Sequence, residues 1–153
     1  MEKTIYIPGD LVMTNGIPIG TKKGIVYQVT ESNTEKIVKD GNEFTILRGS
    51  VTISNIKGKT FHDEGFLFGD CGAWVKDIVP IPLTPSILEK NGWEVSLECT
   101  SIYVKEDNVK IFRLLDDIHY AAYIGFVRLL EFQHIHQLQH LLFGLGLNSE
   151  MEV

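Results

Sequence analysis

Three histidines fall close together late in the chain: His134, His136 and His140. His136 and His140 stand four apart, a spacing that on a helix puts two imidazoles on one face and can hold zinc. Between them lie Gln137, Leu138 and Gln139, so the glutamate base of a metalloprotease helix is missing. No cysteine or carboxylate stands beside them in sequence, and only His119, Asp116 or Asp117 could complete a ligand set through the fold. The plainer reading is a polar helix face, His136, Gln137 and His140, that hydrogen-bonds a strand or a partner, and no metal is expected. Gly20-Thr21-Lys22-Lys23-Gly24 offers backbone amides and two ammonium groups to the phosphate of a small nucleotide-like ligand. It lacks the spacing of a P-loop and leads into a strand pattern, so a hairpin turn is the plainer reading there. Asp116-Asp117 with His119 holds groups for acid–base work, but adjacent carboxylates on a strand point to opposite faces, which favours a turn.

Gly69-Asp70-Cys71-Gly72-Ala73 resembles the nucleophile loop of chymotrypsin-like proteases, in the viral form where cysteine replaces serine. The resemblance implies backbone N–H groups closing around an oxyanion and an upstream histidine that takes the thiol proton. His62, with Asp63, is the upstream candidate. The likeness ends with this string. In that family the histidine lies in a separate barrel, whereas His62 is nine positions before Cys71, and the 70 residues before Cys71 are too few for that barrel. A Gly-rich turn entering a strand at Trp74 and Val75 is the plainer reading. Cys71 and Cys99 are too few for a disulfide framework and too far apart for a CxxC motif, which fits free thiols in a reducing cytoplasm. Most aromatic residues must be core. Phe61, Phe66, Phe68 and Trp74 lie in a Gly-rich stretch and, with Lys22 and Lys23, are the expected ligand-binding surface.

The elements that must carry these residues begin as β-structure. Leu11–Thr14 is a short apolar run ending at Asn15-Gly16, a dipeptide suited to a tight hairpin. Residues 25–30 alternate, with Ile25, Tyr27 and Val29 on one side. Asp40-Gly41-Asn42 and Lys57-Gly58-Lys59 read as turns, and Val51 and Ile53 point one way from a strand between them. Thr84-Pro85 starts a helix, with the hydroxyl as cap and proline in the first turn, and Asn91-Gly92 ends it. Residues 101–104 and 109–115 form a hairpin around Lys105-Glu106-Asp107-Asn108, and residues 120–132 a third strand. With about 100° per residue, Ile135, Leu138, Leu141, Leu142 and Leu145 share one arc of a closing helix, with His136, Gln137 and His140 opposite.

Residues 78–92, IVPIPLTPSILEKNG, and the later IHQLQHLL resemble a group of small uncharacterised proteins carried by phages and mobile elements of gut Bacteroidetes. Residues 31–68 depart from that pattern. The resemblance implies expression inside a bacterium from a mobile element, and it carries over no catalytic residue. The totals bound the rest. A net charge of -6, from 14 Lys and Arg against 20 Asp and Glu, makes non-specific nucleic-acid binding an unexpected role. The opening MEKTIYIPGD has no signal-peptide pattern, and no apolar run reaches the roughly 18 residues of a membrane helix.

The expected fold is α+β, in one compact domain, 1–153, with a β-rich part, 1–79, and a helix-sheet-helix part, 80–153. It comprises a small N-terminal SH3-like β-barrel or bent sheet, a short central helix, and an antiparallel meander closed by a C-terminal amphipathic helix. The expected function is a non-catalytic phage or mobile-element accessory protein, acting in the cytoplasm of the host bacterial cell, that binds a protein partner and is itself a homo-oligomer. One alternative is a small-ligand sequestering protein, for example a sponge for a nucleotide immune signal that counters host defence. The other is a cysteine hydrolase using Cys71 and His62. No cofactor is expected.

Overall fold

The computed structural model describes residues 5–33, 36–47, 49–105 and 108–153, and the side chains of all of these except 36–40 and 43–47. The chain divides into two compact units, Met1–Ile81 and Pro82–Val153. Both are built on antiparallel sheet, so the fold is α+β and mostly β.

In the first unit, β1 (Leu11–Thr14), β2 (Tyr27–Asn33), β5 (Ser50–Asn55), β6 (Cys71–Trp74) and β7 (Ile78–Pro80) form a five-stranded sheet in the order β6-β5-β2-β1-β7. The alternation read around Tyr27 places Tyr27 and Val29 inward beside Val51 and Ile53, and Val12, Ala73 and Ile78 join them in the core. β6 and β7 end opposite edges, yet only the 3-10 turn Val75–Asp77 connects them. Four strand spacings would measure about 19 Å on a flat sheet, whereas the chain from Trp74 to Ile78 spans at most about 14 Å. The sheet must therefore coil strongly. It does not close, because β6 and β7 are not paired with each other, and Pro80 stands on an edge where its missing N–H is tolerated. Between β2 and β5, β3 (Lys36–Asp40) and β4 (Glu43–Leu47) form a separate two-stranded hairpin around the turn expected at Gly41.

Asn15-Gly16 does not make the tight hairpin its dipeptide suggests. The strand after β1 begins only at Tyr27, and residues 15–26 form a long loop. The local cause is side-chain capture of the backbone. Asn15 Oδ1 accepts from Ile17 N at 3.0 Å, and Thr14 Oγ1 accepts from Gly16 N at 3.1 Å, which turns the chain away before Pro18.

In the second unit, Thr84 caps α1 (Pro85–Lys90) by accepting from Ile87 N, and the helix stops at Asn91-Gly92 as its sequence requires. The sheet is a meander in the order β12-β11-β10-β9-β8, formed by β8 (Glu94–Val95), β9 (Ile102–Val104), β10 (Val109–Arg113), β11 (Tyr120–Ile124) and β12 (Val127–Phe132). The turn between β9 and β10 includes Glu106 and Asp107, which lie outside the described residues. The single strand expected over 120–132 is two strands. Gly125, at φ +57, reverses the chain in a left-handed conformation that glycine adopts without strain. α2 (Ile135–Gly144) follows, with Ile135, Leu138 and Leu142 buried, as are Val109, Ile111, Tyr120 and Phe132 of the sheet. Among the described residues no helix is long and apolar enough to cross a membrane.

Candidate functional site

The two long loops of the first unit, residues 15–26 and 56–70, are tied to one another by polar groups that start on strands. Tyr27 is fully buried, and its hydroxyl donates to Gly65 O at 2.7 Å while accepting from Lys22 N at 3.1 Å. One phenol thus joins both loops. Asn55, at the end of β5, clamps the backbone of Leu67 from both sides: Nδ2 donates to Leu67 O at 2.6 Å and Oδ1 accepts from Leu67 N at 2.9 Å. Cys71 Sγ donates to Ile19 O at 3.3 Å, and a Cβ on Gly20 would meet Leu67 Cδ2 at 3.1 Å. Lys22 pairs with the Glu64 carboxylate across the same seam. The base of the first loop is held by Asn15, which donates from Nδ2 to Asp77 Oδ1 at 2.9 Å. These bonds make the loops a fixed platform.

Among its charged and polar groups the platform presents large apolar side chains. Ile19 is 92% exposed and Phe68 91%, with Ile17 and Phe61 also mostly in solvent. Phe66 is half-buried and meets Phe68 edge-to-face at 5.1 Å, which props the outer ring in place. Carrying Ile19 and Phe68 in water gains nothing for the monomer, since each would be stabilised by about 1.5–3 kcal/mol on burial. Phe61, Phe66 and Phe68 were legible as candidates from their Gly-rich context. Ile17 and Ile19 were missed, because isoleucine beside proline in a turn carries no local sign of exposure.

The other sequence-predicted residues are placed as follows. Lys22 is engaged by Glu64, and Lys23 is exposed. Trp74 lies on the edge strand β6, about half exposed at 45%. His62 is exposed and lies against the Phe61 ring, with centroids 3.9 Å apart. The Cys71 thiol is bonded to the backbone carbonyls of Ile19 and Gly72, and burial pushes its pKa up. Both effects hold the proton on sulfur, opposite to what a nucleophile needs.

The late histidines are buried or half-buried. His136 is only 4% exposed, and burial, with His140 and then His134 nearby, lowers its pKa to about 4. Its ring lies 5.8 Å from that of His134 and 5.5 Å from that of His140. Gln137 caps its own helix, with Oε1 accepting from Gln133 N and His134 N, both at 3.0 Å. His119 pairs with Asp116 at 2.5 Å, and Asp116 is held at about 2, chiefly by the backbone N–H groups of His119 and Ile118 and then by the imidazole. Among the described residues no set of three or more His, Cys, Asp or Glu is placed to hold a metal ion. A shallow cavity of about 430 Å³ lies in the second unit, lined by Val104, Lys105, Val109, Lys110 and Ile124, and none of the residues predicted for a ligand reaches it.

Comparison with protein-family models, with curated proteins and with solved structures finds no match to this chain.

Proposed function

We propose that this chain is a non-catalytic binding module whose contact surface is the loop platform of its first unit, and that its partner is another protein. The observation that carries the reading is the exposure of Ile19 and Phe68 on loops fixed by Tyr27 and Asn55. Apolar side chains presented on a rigid frame bind at low cost in conformational entropy, because little has to be ordered on contact. The strand order β6-β5-β2-β1-β7, with a 3-10 turn between the two edge strands, supports a finer description of this unit as an SH3-like, partly open barrel. Binding residues on the loops of a small β scaffold are in keeping with that description. The protonated thiol of Cys71 and the compensation of Lys22 by Glu64 weigh toward a protein partner over a hydrolytic reaction or a phosphate ligand. The likeness of residues 78–92 and of the IHQLQHLL segment to phage and mobile-element proteins supports a bacterial cell as the source of the partner and an accessory role.

The test compares wild type with Ile19→Glu/Phe68→Glu in affinity capture from a bacterial lysate, followed by titration of the captured protein. Both changes sit at solvent-exposed positions, so the variant should melt close to wild type while losing the partner at least tenfold. Equal affinity for the captured protein in a folded variant would remove the platform from the interface. A thermal shift of wild type on adding cyclic nucleotides, abolished by Lys23→Ala, would replace the protein partner with a nucleotide.

A further inference from the structure

β12 is the outer strand of the second unit's sheet: β11 pairs with one side, and no described strand pairs with the other. An outer strand leaves a row of N–H and C=O groups facing solvent, and proteins usually blunt such edges with charged side chains, lysine above all, with proline, with a bulge or with a very short strand. β12 runs six residues, VRLLEF, with neither lysine nor proline. Val127 and Leu129 are 64% and 38% exposed. Its charges are one of each sign, Arg128 and Glu131, whose side chains meet at 2.5 Å and remain about half exposed.

The register makes this edge complementary to itself. Ala122 faces Leu130 and Tyr123 faces Arg128, so Leu129 is the extra residue of a bulge. Without it, the paired positions run Val127, Arg128, Leu130, Glu131, Phe132, with Leu130 central. The bulge also brings Arg128 and Glu131 to the same face of the sheet, as their contact requires. In an antiparallel pair related by a two-fold axis, opposite residues share a face, and the axis passes midway between one residue and its own copy. An axis at Arg128 would oppose two arginines, and an axis at Glu131 two glutamates. An axis at Leu130 sets Arg128 against Glu131 of the partner subunit, twice, and Val127 against Phe132 of the partner subunit.

We propose that β12 is a self-association edge, pairing antiparallel with the same strand of a second copy about a two-fold axis between the two copies of Leu130, so that two five-stranded sheets become one. The β12 edge belongs to the second unit and the platform to the first, and neither contact needs the other.

Light scattering on the full chain reads the outcome directly. Wild type should show twice 17.3 kDa, and Arg128→Glu and Glu131→Arg, each opposing like charges across the axis, should each fall to 17.3 kDa. Mixing the two variants in equal amounts restores both ion pairs and should return the doubled mass. Leu129→Lys, at the bulge, adds an edge ammonium without touching the ion pair and should give a folded monomer. Wild type that stays at 17.3 kDa at its highest soluble concentration overturns the proposal, as does a dimer that survives in folded Leu129→Lys. A mixture of two folded charge variants that remains monomeric overturns the register.

Discussion

Tyr27 is the residue on which the platform depends. Its ring belongs to the core, while its hydroxyl leaves the core to bond Gly65 O and Lys22 N in two different loops. Tyr27→Phe keeps the ring and strands both backbone groups in a partly buried seam, so a loss of about 1–3 kcal/mol is expected. Urea denaturation measures it, and a loss within error of zero would mean that water replaces the phenol and the loops are not tied as described. His136 behaves in the opposite sense, because here the cost falls on charging. Its folded pKa of about 4 lies below the ordinary 6.5. The unfolded chain therefore takes up the proton first, and this contribution is complete above about pH 6.5 and declines as pH falls toward 4. The span corresponds to about 3 kcal/mol. His136→Gln should reduce the slope of unfolding free energy between those pH values, whatever it does to stability at pH 7. An unchanged slope would place the titration elsewhere, with His134 the nearest alternative because burial lowers it too.

At the scale of elements, two glycines at turns of similar backbone shape separate strain from space. Gly58 has φ +86 with nothing near its missing Cβ, while Gly65 has φ +73 and would set a Cβ 2.7 Å from Tyr27 Oη and 2.9 Å from Ile25 Cγ1. Gly58→Ala should lose about 1 kcal/mol to left-handed strain alone. Gly65→Ala adds overlap against a fixed core ring and should lose about 3 kcal/mol. Equal melting shifts in the two variants would show that the 56–70 loop yields and is not a rigid support. The same elements show what sequence could reveal. α1 was legible end to end because Thr84, Pro85 and Asn91-Gly92 act on their own backbone within a turn or two. The Tyr27–Val29 and Val51–Ile53 alternations were legible because a strand with one buried face writes its period into the chain. The break at Gly125-Phe126 was hidden, since an apolar residue at a hairpin tip carries no turn signal. The burial of His136 was not legible, because a leucine stripe marks one buried side of a helix and says nothing of a second, and α2 buries His136 and Gln139 as well. The platform was half legible. Its aromatic residues stood out, but the bonds that fix it join residues as far apart as 27 and 65, which no local pattern encodes.

The whole molecule sets which partners can approach. With 14 basic residues against 20 acidic ones the net charge is -6, and among the described residues several of the basic ones are further engaged. Lys22 is paired with Glu64, Arg113 lies 3.4 Å from Asp117, and Arg128 is held by Glu131. Lys90 and Lys105 donate to the backbone carbonyls of Val153 and Asn91. A phosphate backbone is bound by displacing counterions with free cations, and each cation so used steepens the fall of affinity with salt by about 0.9 in the logarithmic slope. A surface of this kind should give no measurable anisotropy change with a fluorescent duplex or single strand at low salt, and no slope to fit. The platform mutant Ile19→Glu/Phe68→Glu should behave identically, since its contact surface is apolar. A salt slope steeper than about -2, which by the same relation counts more than two phosphates neutralised, would contradict this. It would mean that Lys23, Lys57 and Lys59, exposed or half-exposed lysines of the platform loops themselves, act together against the field of the whole chain. Binding would then be lost on substituting those three and spared on changing Phe68, and that pair of variants separates an electrostatic surface from an apolar one.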